Sequence, residues 1–370
     1  MPTLRSFRVL RVLDLQGCDL SQSYSLKYVE KLFHLRYLGL GDTRIAQLPE
    51  EIGNIRFLQT LDLMGTSICS LPSTVVQLRH LMCLYIESYT KLPNGIGSLT
   101  SLEELLFLRI DDSITDITDE LGQLTGLRVL SIVLFSDWND KLLECLCKLQ
   151  KIQNLYIEVR NGRRNIGGLD AWVAPRHLRV LNTRWGCWFS SVQTWMNPLL
   201  LPDLSFLSIA VRELEQADLD ILGKLPALRY LDLEVDHEDL GILGGFVVSA
   251  GSFPCLARCG FGGFVGPVVF EHGAMPSLRT LQVQFSVREA REIPSSDAGF
   301  GMGLGHRSRE RGTWPRSSFH VPRSGMGTGT FREQFSVKIL HKRCSSFRER
   351  SGSGNSSGNM ATRVQHCNSA

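Results

Sequence analysis

The chain is 370 residues long, 43% hydrophobic and 21% charged, with 40 Lys+Arg against 37 Asp+Glu. That apolar content suffices for a substantial core, and a net charge of +3 is too small to argue for a nucleic-acid-binding protein. The charge is unevenly spread: residues 1–293 carry 28 Lys+Arg and 33 Asp+Glu, whereas residues 294–370 carry 12 and 4, so a mildly acidic body precedes a basic tail.

The sequence opens Met-Pro-Thr-Leu-Arg-Ser-Phe, without the basic start, apolar run and small-residue cleavage site of a secretory signal. No stretch approaches the roughly twenty apolar residues of a membrane-spanning helix. Ten cysteines show no pairing framework, so a reducing, cytoplasmic setting is expected. Cys83 and Cys259 fall inside strand patterns and are expected there as small buried hydrophobes.

One pattern then recurs. Leu-x-x-Leu-x-Leu, or a close variant, begins at Leu10, Leu35, Leu58, Leu81, Leu102, Leu127, Ile152, Leu178, Leu204, Leu228, Leu256 and Leu278, which makes twelve units with starts 21 to 28 residues apart. This is the period of leucine-rich repeats and lies outside that of ankyrin or tetratricopeptide units. A strand alternates its faces, so the last two apolar residues of each motif point one way and their neighbours the other. A single unit cannot bury that apolar row, but stacked units can, their strands pairing in parallel about 4.8 Å apart. The expected fold is therefore an α/β leucine-rich-repeat solenoid over residues 1–293, with a curved parallel sheet on the concave face and short helices and loops on the convex face.

The return segments fit this picture. In Ile45-Ala46-Gln47-Leu48-Pro49-Glu50-Glu51-Ile52-Gly53 the proline sets the start of a short helical turn, and Gly53, like Gly97 later, is placed to end one. From residue 160 the returns lengthen, and Trp172, Trp185, Trp188 and Trp195 are expected to fill the wider units as core.

Residues 48–72, Leu-Pro-Glu-Glu-Ile-Gly-Asn-Ile-Arg-Phe-Leu-Gln-Thr-Leu-Asp-Leu followed by Thr66-Ser-Ile68 and Leu71-Pro72, resemble the repeats of plant intracellular nucleotide-binding (NLR) disease-resistance proteins of the coiled-coil class. Trp195-Met-Asn-Pro-Leu-Leu-Leu-Pro-Asp-Leu204 and Gly273-Ala-Met-Pro-Ser-Leu278 are similar to those of grasses. The resemblance covers residues 1–293. It implies a sensor that binds a pathogen effector, a guarded host protein or the nucleotide-binding domain of a related receptor. The phosphate loop of that domain is not in this sequence: the one Gly-Lys, Gly223-Lys224, is followed by Leu225 where a magnesium-binding hydroxyl would be needed. Two other readings are a free-standing adaptor, as in ubiquitin-ligase substrate recognition, and a non-functional gene fragment.

Catalytic chemistry has no sequence foothold. No Gly-x-Ser-x-Gly elbow occurs between a strand and a helix pattern, the one literal match, Gly354 to Gly358, falling in the Gly/Ser-rich tail, and there is no cysteine-protease signature. His237 sits in an acidic stretch, Asp236-His-Glu-Asp239, without zinc or calcium spacing, and Cys145-x-Cys147 and Cys255-x-x-x-Cys259 lack matching second pairs. No enzyme, cofactor, metal or small-molecule substrate is expected. The positions flanking the inward leucines are where a protein would dock: Asp14, Tyr37, Asp62, Tyr85, Glu87, Tyr156, Glu158, Arg184, Tyr230, Asp232 and Glu234. Tyrosines among carboxylates suit a partner offering Lys or Arg. Residues 294–370 form a Gly/Ser/Arg-rich tail whose composition is that of a disordered segment. The loss of repeat pattern near His306 reads as a changed frame or retained intron rather than as a nucleic-acid-binding arm.

Overall fold

The computed structural model describes residues 7–285, apart from residues 8, 21–25, 112–114, 161, 163, 185, 236–244 and 265–266. The tail, the 293/294 boundary, His237 and Trp185 lie outside the described residues. Within them every one of the twelve motifs carries a strand: β1 (Val12–Asp14), β2 (Tyr37–Gly39), β3 (Thr60–Asp62), β4 (Cys83–Tyr85), β5 (Glu104–Ile110), β6 (Val129–Leu134), β7 (Asn154–Val159), β9 (Val180–Asn182), β11 (Phe206–Val211), β12 (Tyr230–Val235), β14 (Arg258–Phe264) and β16 (Thr280–Phe285). They join side by side in that order as one parallel sheet, the ladder of a leucine-rich-repeat solenoid. The longer returns add two small parallel pairs, β8 (Arg164–Asn165) with β10 (Cys187–Trp188) and β13 (Phe246–Val248) with β15 (Val268–Phe270).

The register follows from the leucines. Leu38 stands opposite Leu61, Leu61 opposite Leu84 and Leu84 opposite Leu105, and all four are fully buried. A one-residue slip would turn the whole inward row to solvent, so the hydrophobic pattern alone locks the pairing. Each such leucine contributes about 1.5–3 kcal/mol by its removal from water. At the last strand the protection is partial: Leu278, Leu281 and Val283 are only half-buried against the core.

On the back, among the described residues, the returns are 3-10 turns at Leu26–Lys31, Glu50–Asn54, Ser73–Gln77, Ile96–Ser98 and Gly167–Ala171, and three short α-helices, α1 (Thr115–Leu121), α2 (Asp140–Lys148) and α3 (Gln216–Gly223). Pro49 and Pro72, both extended, immediately precede the turns at Glu50 and Ser73, as their fixed φ requires. The glycines act differently from expectation. Gly53 and Gly97 lie inside their turns and terminate neither. A Cβ on Gly53 would meet the Thr74 carbonyl at 2.6 Å, and one on Gly97 the Glu120 carbonyl at 2.8 Å. Their job is close approach between successive units, not capping.

A bulge divides the ladder. Leu105 pairs with Leu130, but Leu108 pairs with Ile132, so β5 spends one residue more than its neighbour. Phe107 takes up the excess at φ 61°, in the left-handed region. Strands before this point pair over three residues, whereas β6 and β7 pair over six. Trp172, Trp188 and Trp195 fill the wider units as expected: all three are buried, Trp172 meets Trp195 edge-on at 5.1 Å, and the Trp195 indole N–H donates to the Leu169 carbonyl at 2.9 Å. Cys259 is buried in the inward row, but Cys83 is not. It pairs laterally with Thr60 and Glu104 and is half-buried on the opposite, concave side.

Candidate protein-binding face

The concave side consists of the residues that alternate with the buried leucines. Two rows cross it. One contains Tyr37, Thr60, Cys83 and Glu104, in register across β2 to β5, and Phe206, Tyr230, Arg258 and Thr280 across β11 to β16. The other contains Asp14, Gly39, Asp62 and Tyr85 across β1 to β4, and Asn182, Ser208, Asp232 and Gly260 across β9 to β14. Tyr156 belongs to the second row and Glu158 to a third, beside Val133.

Ten of the eleven positions nominated from sequence are exposed or half-buried on this side. The exception is Asp62, 3% exposed, whose carboxylate accepts the Met64 backbone N–H at 3.1 Å and so helps shape the turn after β3. Asp14 does the same for Gln16 at 3.0 Å while remaining exposed. Tyr37 lies over Gly39, where a Cβ would sit 2.9 Å from the ring. The Tyr85 hydroxyl donates to Glu104 at 2.5 Å, and burial together with that carboxylate raises its pKa. Glu87, just beyond β4, accepts the Gly65 N–H at 2.6 Å. Burial alone raises the Tyr156 hydroxyl, and burial raises the Glu158 carboxyl against the opposing pull of Arg160 at 3.3 Å.

The C-terminal half is organised around Arg184. Its guanidinium spans β11 to reach Asp232 and Glu234 on β12, the second at 2.9 Å. The intervening residues of β11, Ser208 and Ala210, are small enough to be crossed. Burial opposes the Arg184 charge, but the two carboxylates more than restore it and raise its pKa. Burial likewise raises the Asp232 carboxyl even though Arg184 pulls it down. Beside this clamp Phe206 and Tyr230 stack, centroids 4.2 Å apart and planes within 4°, and the Arg258 guanidinium lies 5.3 Å over the Tyr230 ring. After Arg258, β14 presents Gly260 and Gly262 to this side. The result is a flat aromatic and guanidinium row bordering a side-chain-free strip, a preorganised surface of the type that anchors protein partners.

Sequence reasoning named Tyr230, Arg184, Asp232 and Glu234 but missed Phe206, Arg258 and Glu104, although all three occupy the same motif position as Tyr37 and Tyr230. That shared position was the available signal. Among the described residues no group of three or more His, Cys, Asp or Glu is placed to hold a metal ion, and no helix is long and apolar enough to cross a membrane.

Comparison with known proteins supports this reading of the scaffold. Residues 1–308 match the family described as leucine-rich repeat region. The disease resistance protein RGA5 of Oryza sativa subsp. japonica is 29% identical over 306 residues, covering 78% of this chain and 27% of that protein. A putative disease resistance RPP13-like protein 2 of Arabidopsis thaliana is 37% identical over 164 residues, covering 41% of this chain and 18% of that protein. This chain therefore spans less than a third of the length of either relative. Among solved structures, the leucine-rich-repeat protein LIC12759 of Leptospira interrogans superposes with a TM-score of 0.51 at 18% identity, covering 77% of this chain and 82% of that one, a likeness of fold alone. Twelve strands in one parallel ladder and a family match over most of the sequence converge: the chain belongs to the leucine-rich repeat region family, and the curated relatives it resembles are plant disease-resistance proteins.

Proposed function

We propose that this chain is a protein-recognition module of plant innate immunity, acting through its concave face as the sensor part of a disease-resistance protein in the cytoplasm. The leucine-rich-repeat fold is a protein-interaction scaffold, and the relatives are disease-resistance proteins. The observation that carries the reading is the Phe206–Tyr230–Arg258 row beside the Arg184 clamp: large rings and guanidinium groups fixed in place before any partner arrives. Fixed anchors lower the ordering cost of association, which is why Tyr and Arg dominate binding hot spots. The partner is a protein: a pathogen effector, a guarded host protein or the nucleotide-binding domain of a related receptor.

The test is proximity labelling in leaf tissue with the wild-type chain and a Tyr230→Ser, Arg258→Glu variant, before and after pathogen challenge. Loss of a defined set of neighbours in the variant supports the reading. Identical neighbours for both chains would sink it.

A further inference from the structure

The concave carboxylates fall into two groups. Toward the C-terminal end each is answered by a cation of the same chain, Glu158 by Arg160 and the pair Asp232 and Glu234 by Arg184. Toward the N-terminal end they are held by neutral donors. Asp14 accepts the Gln16 backbone N–H at 3.0 Å, Asp42, exposed in the turn after β2 and so at the rim of this face, the Gln16 side-chain amide at 2.9 Å, Glu87 the Gly65 N–H at 2.6 Å and Glu104 the Tyr85 hydroxyl at 2.5 Å. Among the described residues none of these four forms an ion pair. Neutral donors fix where a carboxylate points but leave its charge in place, and β1 to β4 contribute no Lys or Arg. Half of the face is thus a positioned field of one sign, facing solvent.

The same chain carries a complement to it. Arg307-Ser-Arg309-Glu-Arg311-Gly-Thr-Trp314-Pro-Arg316 has four arginines against one glutamate. In an extended peptide Arg307, Arg309 and Arg311 share one side while Glu310 and Arg316 fall on the other, so such a segment offers a row of three guanidinium groups. Arg307 follows Phe285 by 22 residues, about 70 Å of extended chain, while β4 is eight ladder steps from β16, about 38 Å. Tethering at that length corresponds to an effective concentration of order 1 mM, so even a weak intrinsic affinity keeps the site largely occupied.

We propose that Arg307–Arg316 docks on the acidic N-terminal half of the concave face and that a partner must displace it. The regulatory half of this inference rests on the concave face being the partner surface. The docking itself is measured without a partner.

The probe is a fluorescent peptide of residues 303–320, titrated by anisotropy into the full chain and into the full chain with Arg307→Glu, Arg309→Glu and Arg311→Glu. The variant, with its own segment disabled, is expected to bind the peptide roughly tenfold tighter than wild type. Raising salt from about 0.05 M to about 0.5 M should abolish the binding. Adding Asp14→Asn, Asp42→Asn and Glu87→Gln, isosteres that keep the acceptor oxygens, should weaken it at least tenfold. Should that combination melt early, Asp14→Asn with Glu104→Gln on the same background gives the same readout. Equal affinity of wild type and the arginine variant, or no loss on neutralising the face, overturns the proposal. If the labelling test fails while the peptide binds as expected, the docking stands and the immune reading falls; the converse leaves the partner surface intact without this internal occupant.

Discussion

The Arg184 guanidinium grips Asp232 across an intervening strand, joining residues 48 positions apart on β12 and the turn after β9. Glu234 completes the clamp at 2.9 Å. Arg184→Ala leaves two carboxylates, one of them mostly buried, facing each other without a cation. We expect a loss of about 1–3 kcal/mol, between the exposed and fully buried limits for such pairs. Urea unfolding of Arg184→Ala, Asp232→Ala and the double variant checks it: the double variant should be less destabilised than the sum of the two, and strict additivity would contradict the clamp.

Three glycines of this region separate steric need from backbone need. Gly263 has φ 77° and a Cβ there would run into the Val235 carbonyl. Gly251 has φ 78° with open space around it, and Gly262 would meet Glu234 Cγ only at an ordinary 3.6 Å. Alanine at 263 should therefore cost the most, alanine at 251 about 1–2 kcal/mol from left-handed strain alone, and alanine at 262 close to nothing. Melting temperatures in any other order would refute this account of the strand.

Burial raises the Glu158 carboxyl above its ordinary value of 4.5, with Arg160 only partly opposing. The folded chain thus binds this proton more readily than the unfolded one. Stability contributed here falls as pH rises from the ordinary value through the raised one, and the cost persists above it. Glu158→Gln removes the cost, so its advantage in melting temperature over wild type should widen between about pH 4 and about pH 7. A gap that stays flat or narrows would contradict the assignment.

Thiol chemistry offers a map of the core. Burial pushes Cys145 and Cys187 up to about 12 and raises Cys259 further, whereas Cys69 and Cys255 are exposed. Because the thiolate is the reactive form, maleimide labelling of the native chain followed by peptide mass analysis should modify Cys69 and Cys255 within minutes and the three buried cysteines only in denaturant. Rapid native labelling of Cys187 would mean that the wide units open far more often than their packing implies.

The ladder was legible because a single rule, burial of a period-two apolar row, repeats in every unit and specifies register without help. The face was legible only as positions. Arg184, Asp232 and Glu234 stand out separately in the sequence, but their mutual clamp depends on β11 offering Ser208 and Ala210, small residues in the unit between. Asp62 reads like Asp14 and Asp232, yet it is turned into the backbone. Cys83 reads as core because thiols usually are, although its parity within the motif places it outward. Phe107 left no signal: a non-glycine at positive φ is chosen by tertiary packing, not by local propensity.

That bulge gives the ladder two gauges. Ahead of Phe107 each junction between strands is three residues wide; beyond it β6 with β7 and β11 with β12 are six wide, while the short β9 joins β7 and β11 over three residues each. In a linear array, stability is a sum over neighbouring junctions, so the narrow ones set where the array gives way. Under tension or at the onset of melting, a front starting at the first units should advance one unit at a time and halt at β5. The acidic half can then unzip and re-form while the wide block from β5 to β7 keeps its shape.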